Sequence, residues 1–190
     1  SGKYYEDVTA AYTEVADVRV TLSEVPDDSV RFAYLCVFNS GDWEAIHWGR
    51  IEDGAVVFED MGTGIAYLPA FYLEQELVPA AGAFVLEKSG LVRPLAADPA
   101  RQETMILRAT TRAVTVSDTD SIEKSFLEEG RTYELHYWDD GWVRVGRGMA
   151  GDEPLRFETV PADGLYWLVA EGSREDERIF TYEEDTQVWW

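Results

Sequence analysis

From Val18 the chain alternates: Val18, Val20 and Leu22 are separated by Arg19 and Thr21, the two-residue period of a half-buried strand. Pro26-Asp27-Asp28 then supplies a turn. Residues 30–38 are apolar or aromatic on both parities, which predicts a strand buried on both faces, and Asn39-Ser40-Gly41-Asp42 turns it back into a partner over 43–48. The same punctuation continues. Glu52-Asp53-Gly54 leads into a strand at 55–58, Gly62-Thr63-Gly64 into one at 65–72, and Lys88-Ser89-Gly90 joins short strands at 84–86 and 91–92. Turns spaced by roughly 8 to 12 residues point to packed antiparallel sheets, and no stretch sustains the apolar stripe of a helix.

About a hundred residues later the pattern returns. Arg31 falls on Arg131, Leu35 on Leu135, Phe38 on Trp138, Trp43 on Trp142, Ile46 on Val145 and Gly49 on Gly148. Phe58 then meets Phe157 and Met61 meets Val160. With one extra residue in the turn 161–164, Ile65-Ala66-Tyr67-Leu68 meets Leu165-Tyr166-Trp167-Leu168. A repeat of this length predicts an all-β protein of two tandem antiparallel β-sandwich modules related by an internal repeat. The expected division is a tether at 1–15, a first module at 16–109 and a second at 110–190, which 190 residues can accommodate. Residues 95–102, with Pro99, form the pause between modules. Residues 103–109 are a last strand or the connector, and strands at 113–116 and 122–127 open the second module.

Charge narrows the range of partners. Sixteen basic and thirty-seven acidic residues leave a formal charge of −21, so long-range electrostatics disfavour nucleic acid and anionic membrane surfaces. No apolar run is long enough to span a bilayer, so membrane insertion is not expected, and no signal peptide is recognised. The chain opens on Ser1-Gly2-Lys3, as a mature chain or a piece of a longer protein does. Its one cysteine, Cys36, excludes an internal disulfide.

Cys36 lies between Leu35 and Val37 in the most apolar strand, a setting that raises a thiol pKa and blocks access, so it is expected to be structural. His47 and His136 are too few for a zinc site. Asp118 and Asp120 could offer oxygens to Ca²⁺ but lack the glycine and distal glutamate of a recognised loop. Gly62-Thr63-Gly64 sits between strands and is no phosphate loop. No catalytic residue, metal or cofactor is therefore expected. Carboxylate-only glycoside hydrolysis is the one enzymatic route that composition leaves open.

The repeat sorts the aromatics. Trp43/Trp142, Tyr67/Trp167 and Phe38/Trp138 recur in both copies and are expected in the cores. Trp48 faces Arg147 in the comparison, and Trp189 and Trp190 lie beyond the repeated part. Trp48 with His47, Asp42 and Arg50 is thus the expected ligand-binding group, suited to a sugar, and Trp189 and Trp190 the expected interface.

Ile65-Ala66-Tyr67-Leu68-Pro69-Ala70-Phe71-Tyr72, and residues 177–182 through Val188-Trp189-Trp190, resemble the non-catalytic C-terminal β region of secreted gut-bacterial transglutaminase-like proteins of papain fold. The likeness covers residues 16–190. It implies an exported, periplasmic or cell-surface location and a non-enzymatic accessory role of binding or packing. The expected function is binding of an extracellular glycan, with docking on an upstream catalytic domain or a protein partner as the alternative. The family's catalytic Cys-His-Asp site belongs to that upstream domain, and no residue of this chain matches it.

Overall fold

A computed structural model describes residues 14–107, 127–173, 179–183 and 186–190, and these are all β, with no helix among the described residues. The chain divides into two compact units, the first ending at Ala96 and including Trp190, the second running from Ala97 to Trp189.

In the first unit, the alternation at Val18 and Val20 forms β1 (Val15–Thr21), which pairs antiparallel with β4 (Ala55–Gly62). A separate six-stranded sheet runs β3 (Asp42–Arg50), β2 (Phe32–Asn39), β5 (Ile65–Leu73), β7 (Phe84–Leu86), β8 (Val92–Pro94), with β6 (Glu76–Pro79) also paired to β5. Ser40 at φ 50° and Gly41 at φ 86° make the tight β2–β3 turn, a left-handed pair that matches the twist of a hairpin. The β1–β4 ribbon and the larger sheet share one core. Val18, Val20, Val56, Phe58 and Met61 from the ribbon pack with Ala33, Leu35, Tyr67, Phe71, Phe84 and Leu86 from the sheet.

The second unit has the same strand order. Its sheet runs β11 (Trp142–Met149), β10 (Thr132–Trp138), β13 (Leu165–Ala170), β14 (Ile179–Glu183), β15 (Thr186–Trp189), and its ribbon pairs β9 (Asp98–Leu107) with β12 (Leu155–Ala162). Its core is its own, built on Met105, Leu107, Leu135, Leu155, Phe157, Tyr166, Leu168 and Phe180.

Two expectations change here. The division falls after Ala96 and not near 110, because β9 forms its ladder with β12 and buries Met105 and Leu107 in the second core. Residues 103–107 thus belong to the second unit. The β5 alignment also moves by one. Two residues separate β4 from β5 and two separate β12 from β13, so the turn 161–164 holds no insertion. Tyr67 opposes Phe84 where Tyr166 opposes Phe180, which makes Tyr166, and not Trp167, the counterpart of Tyr67. The expected strand at 113–116, that at 122–127 except Leu127, the Asp118/Asp120 loop and nearly all of the tether lie outside the described residues.

The two tyrosines do the same job. The Tyr67 hydroxyl donates to the Gly62 carbonyl at 2.7 Å and the Tyr166 hydroxyl donates to the Pro161 carbonyl, each reaching five residues back across the hairpin. Both rings are buried, so removing the hydroxyl strands a carbonyl in a poorly hydrated place. Tyr67→Phe is expected to lower unfolding free energy by about 1 to 2 kcal/mol in urea titration.

Burial also pushes the Tyr67 phenol up to about 12, and Tyr166 higher still, with nearby Glu103 and Asp163 adding to it. An unfolded tyrosine ionises near 10. Below that pH both states hold the proton and stability is complete; as pH rises toward the folded value the unfolded chain releases protons that the folded chain keeps. Stability should therefore fall from about pH 10 upward. Tyrosinate absorbance rising together with loss of the fold would show it, whereas full ionisation of the folded protein near pH 10 would contradict it.

Candidate functional site

Neighbouring residues on a strand point to opposite faces, and Cα partners on adjacent strands share a face. Trp48 is the Cα partner of Tyr34, and Arg50 of Phe32, so these four side chains occupy one face of the β2–β3 ladder. On β5, Ala70 is the partner of Tyr34, and Tyr72 stands two residues further along the same face. The rings meet. Phe32 and Trp48 make an edge contact with centroids 5.3 Å apart and planes at 87°, and Tyr34 and Tyr72 do the same at 4.7 Å and 76°. A row of four aromatics thus crosses β3, β2 and β5 from residues scattered between 32 and 72. It is open to solvent: Phe32 is 39% exposed, Trp48 58% and Tyr72 47%, with Tyr34 half-buried between them.

The same register positions in the second unit hold Thr132, Glu134, Arg147 and Glu171. There Arg147 Nη2 donates to both carboxylate oxygens of Glu171, at 3.1 and 2.8 Å. The hydrogen bond and charge of Glu171, with Glu134 adding, hold the Arg147 guanidinium above its usual pKa. One unit covers this face with paired charges, the ordinary solvated solution; the other covers it with aromatic rings.

The expected ligand group is only partly assembled. Trp48 and Arg50 share the face. His47 does not: its partner is the buried Leu35, and its ring lies 6.3 Å from that of the core residue Phe58. Asp42 opposes Asn39 at the hairpin end of β3, six residues from Trp48 and on the order of 20 Å along the strand. Ile46 is an extra residue in a bulge, because Leu35 opposes His47 while Cys36 opposes Ala45. The equivalent bulge in the second unit leaves out Val145.

Trp189 is half-buried, packs on the second core and contacts the Phe180 ring at 4.9 Å, and Trp190 lies under the Arg93 guanidinium at 5.4 Å. Neither is a broadly exposed ring. Cys36 is fully buried, which pushes its thiol up to about 12, the opposite of what a nucleophile needs. His136 Nε2 lies 3.3 Å from Glu134, and its ring packs 5.5 Å from Trp167. Among the described residues, no three His, Cys, Asp or Glu side chains gather to hold a metal ion, and no helix is long and apolar enough to cross a membrane.

Sequence reasoning passed over Phe32, Tyr34 and Tyr72. The signal was present: laying residues 31–38 on 131–138 sets Phe32 opposite Thr132 and Tyr34 opposite Glu134, the same aromatic-for-polar mismatch that singled out Trp48. No known protein family, curated protein or solved structure matches the chain.

Proposed function

We propose that this chain is a non-catalytic accessory region of an exported bacterial protein and that it binds an extracellular glycan through the row Phe32, Trp48, Tyr34 and Tyr72. In this reading the two units are copies of one plan, and the first has been specialised for binding. The observation that carries it is the contrast at equivalent register positions: three exposed aromatics and the half-buried Tyr34 in the first unit, an ion-paired polar face in the second. Exposed rings gain nothing from folding and invite association, so a contiguous set of them marks a surface used for recognition. Flat aromatic faces suit the C–H faces of pyranose rings, while a few polar groups beside them orient the hydroxyls. Arg50 is such a group. Packing on an upstream domain is the competing reading, and the terminal tryptophans expected to carry it are already engaged within the chain.

A glycan array probed with the isolated chain tests this, followed by titration of the bound sugars against tryptophan fluorescence. Saturable binding that shifts the Trp48 emission is the expected result, and no binding to any extracellular glycan would refute the reading. The bound sugars should be recovered uncut after incubation. Shortened products would assign an enzyme instead.

A further inference from the structure

We infer that Arg50, with Arg31 and Arg19, forms an anion-recognising end to this surface, so that the ligand is a glycan carrying an isolated acidic group, a carboxylate or a sulfate, next to the sugar ring that stacks on Trp48. This rests on the glycan reading above and adds the substrate class.

Arg50 stands two residues beyond Trp48 on the same face, with Phe32 as its Cα partner. It also lines two open clefts. One, of about 370 Å³, adds Arg31 with Asp27 and Asp28; the other, of about 380 Å³, adds Arg19 with Glu52 and Asp53. Elsewhere on the described chain five arginines find carboxylates, Arg93 with Glu87, Arg101 with Asp163, Arg131 with Glu128, Arg147 with Glu171 and Arg156 with Glu158, while Arg144 does not. Among the described residues Arg31 and Arg50 form no such ion pair, although acids outnumber bases thirty-seven to sixteen and two acids line each cleft. Asp27 is occupied locally, accepting hydrogen bonds from both the backbone N–H and the hydroxyl of Ser29. Arg19 reaches the Thr21 hydroxyl at 3.5 Å.

A guanidinium presents a planar fork of donors that matches a carboxylate or sulfate in a two-bond contact, and such contacts are stronger than those to neutral hydroxyls. The net charge of −21 sets the limit. A dense polyanion is repelled at long range, whereas a single negative group beside Arg50 gains the local contact at small long-range cost. The arrangement therefore selects sparsely charged acidic glycans.

Four probes test it by calorimetric titration: a xylo-oligosaccharide bearing one glucuronate branch, the unbranched neutral chain of equal length, a singly sulfated lactosamine, and heparin. The singly acidic sugars are expected to bind about tenfold tighter than the neutral chain. Comparing the carboxylate and sulfate probes tells which group the clefts accept. Heparin should bind poorly. Arg50→Gln should erase the preference for the acidic over the neutral chain while keeping the melting temperature, and Arg50→Lys should restore part of the preference.

Equal affinity of the wild type for the branched and neutral chains would overturn this inference while leaving the stacking reading intact. An unchanged ratio in Arg50→Gln, or tight heparin binding, would also overturn it. Acidic binding that depends on Arg50 but survives Trp48→Ala would support the anion site and remove the stacking reading.

Discussion

Gly49→Ala should destabilise the first unit by about 3 kcal/mol, the largest effect expected of any single methyl group in that unit. A Cβ built at Gly49 would lie 2.6 Å from Val56 Cγ2 and 2.8 Å from the Val57 carbonyl oxygen. The methyl could be relieved by a rotamer change; the carbonyl is backbone and can yield only by moving β4. Val56 is itself buried in the core, so rotation there is constrained as well. The second unit repeats the arrangement through its own side chains: a Cβ at Gly146 would meet the ring of the buried Phe157 at 2.3 Å, and one at Gly148 would meet Leu155 at 2.8 Å. Gly82→Ala is the control, because nothing lies within 4 Å of its Cβ position, and it should stay within about 0.5 kcal/mol of wild type. Urea titration of Gly49→Ala and Gly82→Ala checks the ranking. A Gly49→Ala protein as stable as Gly82→Ala would mean that β3 and β4 do not approach as closely as described.

Trp48→Ala should separate binding from folding. Its ring is 58% exposed and makes an edge contact with Phe32, so the truncation removes little buried surface and should cost less than about 1 kcal/mol of stability. Binding is different. An aromatic anchor at the centre of a recognition surface is worth about 2 kcal/mol or more, so glycan affinity should fall at least about thirtyfold. Thermal unfolding and titration on the same preparation decide it. Loss of folding would place Trp48 in the packing, and unchanged affinity would place the binding surface elsewhere.

Much of the fold was legible because its signals are local. The two-residue alternation at Val18 and Val20 faces one core, and Ser40-Gly41 sits in the left-handed conformations that a tight hairpin requires. The boundary was less legible because it depends on pairing: nothing near 98–107 says that its partner is the later β12 and not the earlier strands. The shifted β5 alignment has a similar cause. Leu68 and Leu168 look like equals in sequence, but the ladder sets Leu35 against Pro69 and Leu135 against Leu168, so side-chain identity pointed one residue away from the register. At the candidate site, Trp48 and His47 could not both face a ligand from a regular strand, since adjacent residues take opposite faces. Phe32, Tyr34 and Tyr72 were hidden by distance in the chain and brought to Trp48 by sheet order.

The central claim is that the aromatic row is the binding surface, and one exchange tests it most directly. Phe32→Thr, Tyr34→Glu, Trp48→Arg and Tyr72→Glu together install on the first unit the side chains that the second unit carries at the same positions. The exchanged protein should fold with its cores untouched, because none of the four replaced residues belongs to the core cluster. Assayed on the glycan array beside the wild type, it should retain the wild-type circular dichroism and lose every glycan that the wild type binds. A folded exchange variant that still binds the same glycans would contradict the claim.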